Sequence, residues 1–200
     1  METALDFQQN RYGAVVVLID LHIRAEYTFC NLLDAKLLQL FKQLRVLHKF
    51  SRQYLKVLKI AASLHDIGRT VKYYSHARHS WYMILNAPIY GATHREIILA
   101  AFVAGCHNKE DVPMVEWQKY KDIVLEEDLD AVKKLGVLLR IAESLDRTHC
   151  GLVTGLNCDV LGDSVIMKTM VSGDAALEIR DAEMANPEFK RAFKKNLEIL

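Results

Sequence analysis

From Tyr27 to Arg147 apolar residues return every three or four positions, a period that commits most of the chain to helices sharing one core. Leu33, Leu37, Leu40, Leu44 and Leu47 form one face of a helix expected over Tyr27–His48. Leu55, Leu58, Ala62 and His65 continue the pattern on a second helix, with Ser51 as its expected cap and Gly68 just past its end. His79–Ala87 reads as a short helix stopped by Pro88. Thr93–His107 reads as another, and Glu96 completes a capping box with Thr93. Asn108–Glu127 is polar and contains Pro113, as a surface crossing would. Leu129–Arg147 is amphipathic through Val132, Leu135, Leu139, Ala142 and Leu145. Gly13–Ala25 stays ambiguous, because Val15-Val16-Val17 favours strand while clean alternation is missing.

After Gly151 the period changes. Leu152–Val160, Val165–Val171 and Ala176–Ile179 are short, strand-leaning and separated by Gly-Asp or Ser-Gly-Asp turns. Asn186-Pro187 opens a last helix carrying Phe189 and Phe193. The expected architecture is mostly α. Residues 1–150 form a helical domain, and residues 151–200 form a small β appendage and terminal helix packed on the same domain.

Charge narrows the function classes. With 26 Lys and Arg against 25 Asp and Glu, the net charge of +1 gives no clear nucleic-acid or membrane surface, so a site for anions must be local. The longest apolar stretch, Ala14–Ile23, is broken by Asp20 and His22 and is far too short for a bilayer. Met1–Tyr12 is polar, and Cys30, Cys106, Cys150 and Cys158 show no CxxC pairing. A cytoplasmic protein with reduced thiols is expected.

The chemistry lies in a series of His and Asp residues at expected helix ends: His65-Asp66, His76 and His79, His107, and Asp146. A helical bundle can bring such residues to one point, which is how bundle cores assemble metal sites. Imidazole with carboxylate suits Mn, Fe, Zn, Ni or Mg. Each residue also has a plain reading. A histidine on a last helical turn is favoured by the dipole, Asp146 could pair with Arg147, and His76 and His79 could be surface residues.

Longer stretches around these residues carry a resemblance. Ala61-Ala62-Ser63-Leu64-His65-Asp66-Ile67-Gly68 is similar to the AAxLHDIG core of HD-superfamily domains. His76–Leu85, Asn86–Glu96, His107-Asn108-Lys109 and Leu138–Arg147 resemble the HHxHSxYLI, NSPLxGFxxRE, YHRK and LLRLADALDR segments of the C-terminal domain of the exopolyphosphatase/guanosine pentaphosphate phosphatase (Ppx/GppA) family. The resemblance implies an HD-type helical bundle and a metal held by His65, Asp66, Asp146 and an earlier histidine. It also implies a second site in which Asp66 bridges to His79 and His107, with His76 the outer member of its pair. The earlier histidine falls near Phe29-Cys30, where this chain has none. The exopolyphosphatase active site of the full-length family lies in actin-like domains, which nothing in these 200 residues resembles.

The expected function is therefore a metal-dependent phosphohydrolase on a nucleotide or other small phosphorylated substrate. Asp66 and His65 would be central, and Arg69, Lys72, Arg78 and Lys109 would be available to hold phosphate. The alternative is a non-catalytic module that binds polyphosphate or an alarmone, or that forms a dimer. A homodimer is expected in either case.

Overall fold

The computed structural model describes residues 30–108 and 114–200. Gly13–Ala25, Phe29 and Lys109 lie outside them. The described part is mostly helical with one small sheet. In chain order it runs α1 (Cys30–Gln43), α2 (Arg45–His48), α3 (Gln53–Leu64), a 3-10 turn (Ile67–Thr70), α4 (His76–Leu85), α5 (His94–Gly105), α6 (Met114–Trp117), a second 3-10 turn (Gln118–Tyr120), α7 (Glu126–Ser144), β1 (Val153–Leu161), β2 (Ser164–Val171), α8 (Ala176–Glu183), α9 (Asn186–Phe193) and β3 (Asn196–Ile199).

The apolar period decides the layering. In α5 every residue from Ile98 to Gly105 is buried, so this helix is the centre of the bundle, with α3, α4 and α7 packed on it. Its start is fixed by the expected capping box: Glu96 N–H donates to Thr93 Oγ1 at 3.2 Å, and Thr93 N–H to Glu96 Oε2 at 2.8 Å. Phe102 meets Trp81 on one side and Trp117 on the other, at ring separations of 5.8 and 5.0 Å. The polar crossing therefore also anchors itself, through a buried Trp117.

Several local expectations are corrected. Ser51 does not cap α3 with its side chain; the helix begins at Gln53, and only the Ser51 carbonyl is used, by Tyr54 N–H at 3.2 Å. The helix expected from His79 begins three residues earlier, at His76, after Ser75 turns the chain through a left-handed conformation with φ 58°. Ala176–Ile179 is helix, not strand. Ala175, Glu178, Ala182 and Ala185 are buried at three- and four-residue spacing, and Asp174 Oδ1 accepts the Ala176 N–H at 3.1 Å. The last residues contribute a strand that the local pattern left unread.

β1 and β2 form an antiparallel hairpin closed between Leu161 and Ser164, where Gly162 takes φ 49°. β3 joins β2 in parallel, giving the order β1-β2-β3. The outer edge of β1 is covered by two glutamines one turn apart on α1. Gln39 Oε1 accepts the Leu156 N–H at 3.1 Å, Gln43 Nε2 donates to Leu156 O at 2.9 Å, and Gln43 Oε1 accepts the Cys158 N–H. These side chains satisfy backbone groups that a free edge strand would offer to another chain. They also fasten the sheet to the helical body. No helix of the described residues is long and apolar enough to cross a membrane.

Candidate metal centre

α3 ends at Leu64 with His65 as its C-cap, which leaves Asp66 at the head of the 3-10 turn. That turn packs tightly on α4. Gly68 N–H donates to Ser80 Oγ at 2.9 Å, and a Cβ on Gly68 would lie 2.1 Å from the His76 carbonyl oxygen and 2.5 Å from Ser80 N. Only glycine admits this approach. It sets the first turn of α4 against Asp66, with His76 Nε2 3.2 Å from Asp66 Oδ1.

His65, His76 and His107 share one arrangement. Each ring uses Nδ1–H to donate to the carbonyl three residues earlier: Ala62 at 2.7 Å, Tyr73 at 3.1 Å, and Ala104. The backbone thereby fixes the tautomer that leaves Nε2 as the free ligating nitrogen, as bonds behind metal-binding histidines do. His76 Nε2 and His107 Nε2 face each other at 3.2 Å, and the His65 and His107 rings meet edge-on at 5.1 Å. With both Nδ1 atoms committed as donors, the His76–His107 contact needs one extra proton.

Electrostatics assigns that proton to His76. The Asp66 carboxylate raises the His76 pKa against the effect of burial. Burial, followed by the charge of His65, lowers that of His107 to about 4. Burial also acts to raise Asp66, but His76, His65, Arg69 and His107 outweigh it and hold its carboxyl well below the usual range. Positive charge is thus favoured on His76, beside nitrogen and oxygen atoms that a cation could use.

Two donor groups share Asp66. Asp66, His76 and His107 form one; His65, Asp66 and Glu143 form the other, and the ligand atoms within each lie within 4.8 Å of one another. Glu143, from α7, places Oε2 3.7 Å from His107 Nε2. Asp66 Oδ1 is buried without an aligned hydrogen bond despite the nearness of His76, so the cluster contains an unsatisfied oxygen 3.2 Å from an imidazole nitrogen. Imidazole and carboxylate in this arrangement fit a borderline or hard divalent ion.

The family model for Ppx/GppA phosphatase, domain III, matches residues 30–177. The chain belongs to this family. The match spans α1 through the β hairpin and contains every residue of both donor groups. No curated protein matches the chain.

Within this domain III, His65, Asp66 and His107 converge as the sequence suggests. His79 does not join them. It lies three residues beyond His76, about 4.5 Å farther along the helix axis, with its Cβ packed against the 3-10 turn at Gly68 and its ring in neither donor group. His76, expected as the outer member of the pair, is the one whose Nε2 stands 3.2 Å from Asp66 Oδ1. Asp146 is also elsewhere engaged: its Oδ1 accepts a bond from Lys36 Nζ at 2.7 Å, with both side chains buried. Arg69 reaches the centre, while Lys72 and Arg78 are exposed. Glu143 and Lys36 went unread, although each had a signal. Lys36 falls on the apolar stripe of Leu33, Leu37 and Leu40, and Glu143 on that of Gly136 and Leu139. A charged residue on a buried stripe needs a partner.

Proposed function

We propose that this domain is an HD-type metal-dependent phosphohydrolase acting on a nucleotide or another small phosphorylated substrate. The observation that carries the reading is the common orientation of three histidines, each with Nδ1 tied to backbone and Nε2 turned toward Asp66 or its neighbours. His65, His76, His107, Asp66 and Glu143 would hold the ion. A divalent ion supplies two things to phosphoryl chemistry, a water molecule of lowered pKa and positive charge against the phosphoryl oxygens. The chain contributes the rest. Arg69 stands beside the centre, paired with Asp66 and Glu143 before an ion arrives, and the buried rings keep the donor atoms fixed and shielded from bulk water.

The buried Lys36–Asp146 pair favours a second reading. It withdraws one carboxylate from the centre, and a domain that binds polyphosphate or an alarmone without turning it over would tolerate that loss.

The test starts with titration of tag-free protein with Mn²⁺. His76→Ala is expected to lower affinity by about tenfold or more, and His79→Ala by less than about threefold. Failure of the wild type to take up any of Mn, Fe, Zn, Ni or Mg sinks both the metal centre and the enzyme. A panel of nucleotides and polyphosphate follows, each with excess Mn²⁺ or Mg²⁺. Turnover of a nucleotide supports the hydrolase; tight binding without turnover gives the site to the binding module.

A further inference from the structure

Arg69 sits where the second donor group opens to solvent. Its Nη1 lies 2.9 Å from Asp66 Oδ2 and its Nη2 3.5 Å from Glu143 Oε1, so one guanidinium spans the two carboxylates that, with His65, could hold an ion. His65 Nε2 faces the same Asp66 oxygen at 3.6 Å. We propose that Arg69 is a displaceable counter-cation, released from Asp66 and Glu143 by an arriving divalent ion and then free to hold the phosphate of the substrate. The inference rests on the metal centre proposed above and adds to it a coupling: metal and phosphate bind cooperatively through one side chain.

Three observations support displacement. A divalent ion brings two positive charges to the carboxylates that Arg69 meets with one, and a guanidinium left in place would be a like charge at contact distance. Arg69 is 36% exposed, so it can leave into water at little cost, in contrast to Lys36 at 3%, which is sealed against Asp146. A second resting surface lies alongside, since the guanidinium carbon is 5.8 Å from the centre of the Tyr73 ring, itself well exposed and 6.1 Å from the His76 ring. Released from its carboxylates, the planar fork has the geometry that pairs with phosphate oxygens.

Coupling of this kind is reciprocal, so a ligand that takes the guanidinium tightens the metal and the metal tightens that ligand. The experiment titrates Mn²⁺ into wild type, Arg69→Gln, Arg69→Lys and, as a control for loss of one nearby charge, Lys72→Gln. Each titration is run without and with inorganic phosphate, and circular dichroism checks the fold of each variant. Without phosphate, Arg69→Gln is expected to bind Mn²⁺ about two- to fivefold more tightly than wild type, the gain from removing a part-exposed competing ion pair. Lys72→Gln should change affinity by less than about half that amount. Arg69→Lys should fall between, because one ammonium cannot span both carboxylates. Phosphate should tighten Mn²⁺ binding to wild type by about fivefold or more and to Arg69→Gln by clearly less. Unchanged or weaker Mn²⁺ affinity in Arg69→Gln overturns the proposal while leaving the metal centre standing. Equal gains in Arg69→Gln and Lys72→Gln overturn it as well, as does equal phosphate coupling in wild type and Arg69→Gln. No binding to any of the four proteins removes the metal centre and this inference together.

Discussion

Lys36 Nζ lies 2.7 Å from Asp146 Oδ1, and with exposures of 3% and 5% the pair joins α1 to the end of α7 out of reach of solvent. Glu178, also buried, lies close enough to feel the Lys36 charge and accepts a bond from Thr148 Oγ1 at 2.5 Å. One ammonium therefore serves the junction of helical body and β appendage, and the Asp146 carboxylate meets a built-in cation.

Breaking such a pair from one side leaves a buried charge without its partner. Lys36→Met or Asp146→Leu alone is expected to cost about 3–5 kcal/mol of stability, whereas the double change Lys36→Met with Asp146→Leu should cost far less. Urea denaturation of the two single variants and the double variant closes the cycle, and additive losses would show that the pair is not coupled. Asp146→Asn, for its part, should alter Mn²⁺ affinity by much less than the tenfold or so that loss of a ligand brings. A large fall would restore Asp146 to the metal's own shell.

Gly68 is the tightest contact behind the centre. Gly68→Ala puts a methyl 2.1 Å from a backbone oxygen of α4, so turn and helix must separate. A stability loss of about 1–3 kcal/mol is expected, together with weaker Mn²⁺ binding as His76 moves from Asp66. Denaturation and metal titration on one preparation test both. Full stability with unchanged affinity would show that this contact does not position His76.

His48 supplies a pH dependence away from the centre. Its Nε2–H donates to Phe41 O at 2.7 Å, its Nδ1 accepts the Phe50 N–H at 2.9 Å, and the ring lies between Phe41 and Phe50. Burial, only partly offset by the Phe41 bond, lowers its pKa from 6.5. The unfolded chain then binds more protons than the folded one between the two values. Stability from this residue is whole above about pH 6.5 and is lost as pH falls through the folded value. Urea midpoints at about pH 7.5 and about pH 5 should fall more for wild type than for His48→Gln. Equal falls would mean that His48 does not titrate in this window.

Much of this was legible in the chain, because helices write themselves locally. The leucine stripe of α1, the capping box at Thr93 and the amphipathic pattern of α7 are matters of period and nearest neighbours, and the structure keeps each of them. So is the placing of His65 and Asp66 at a helix end. Period says which face of a helix is buried but not how far along its axis a partner lies. That His76 Nε2 stands 3.2 Å from Asp66 depends on the close approach of Gly68 to α4, a contact in space between two elements. Glu143 and Lys36 stood on apolar stripes, yet their partners, Arg69 and Asp146, were decided only by helices crossing at one end of the bundle. β3 shows the same division: four residues say little alone, and their parallel pairing with β2 exists only once α8 and α9 have carried the chain back to the sheet.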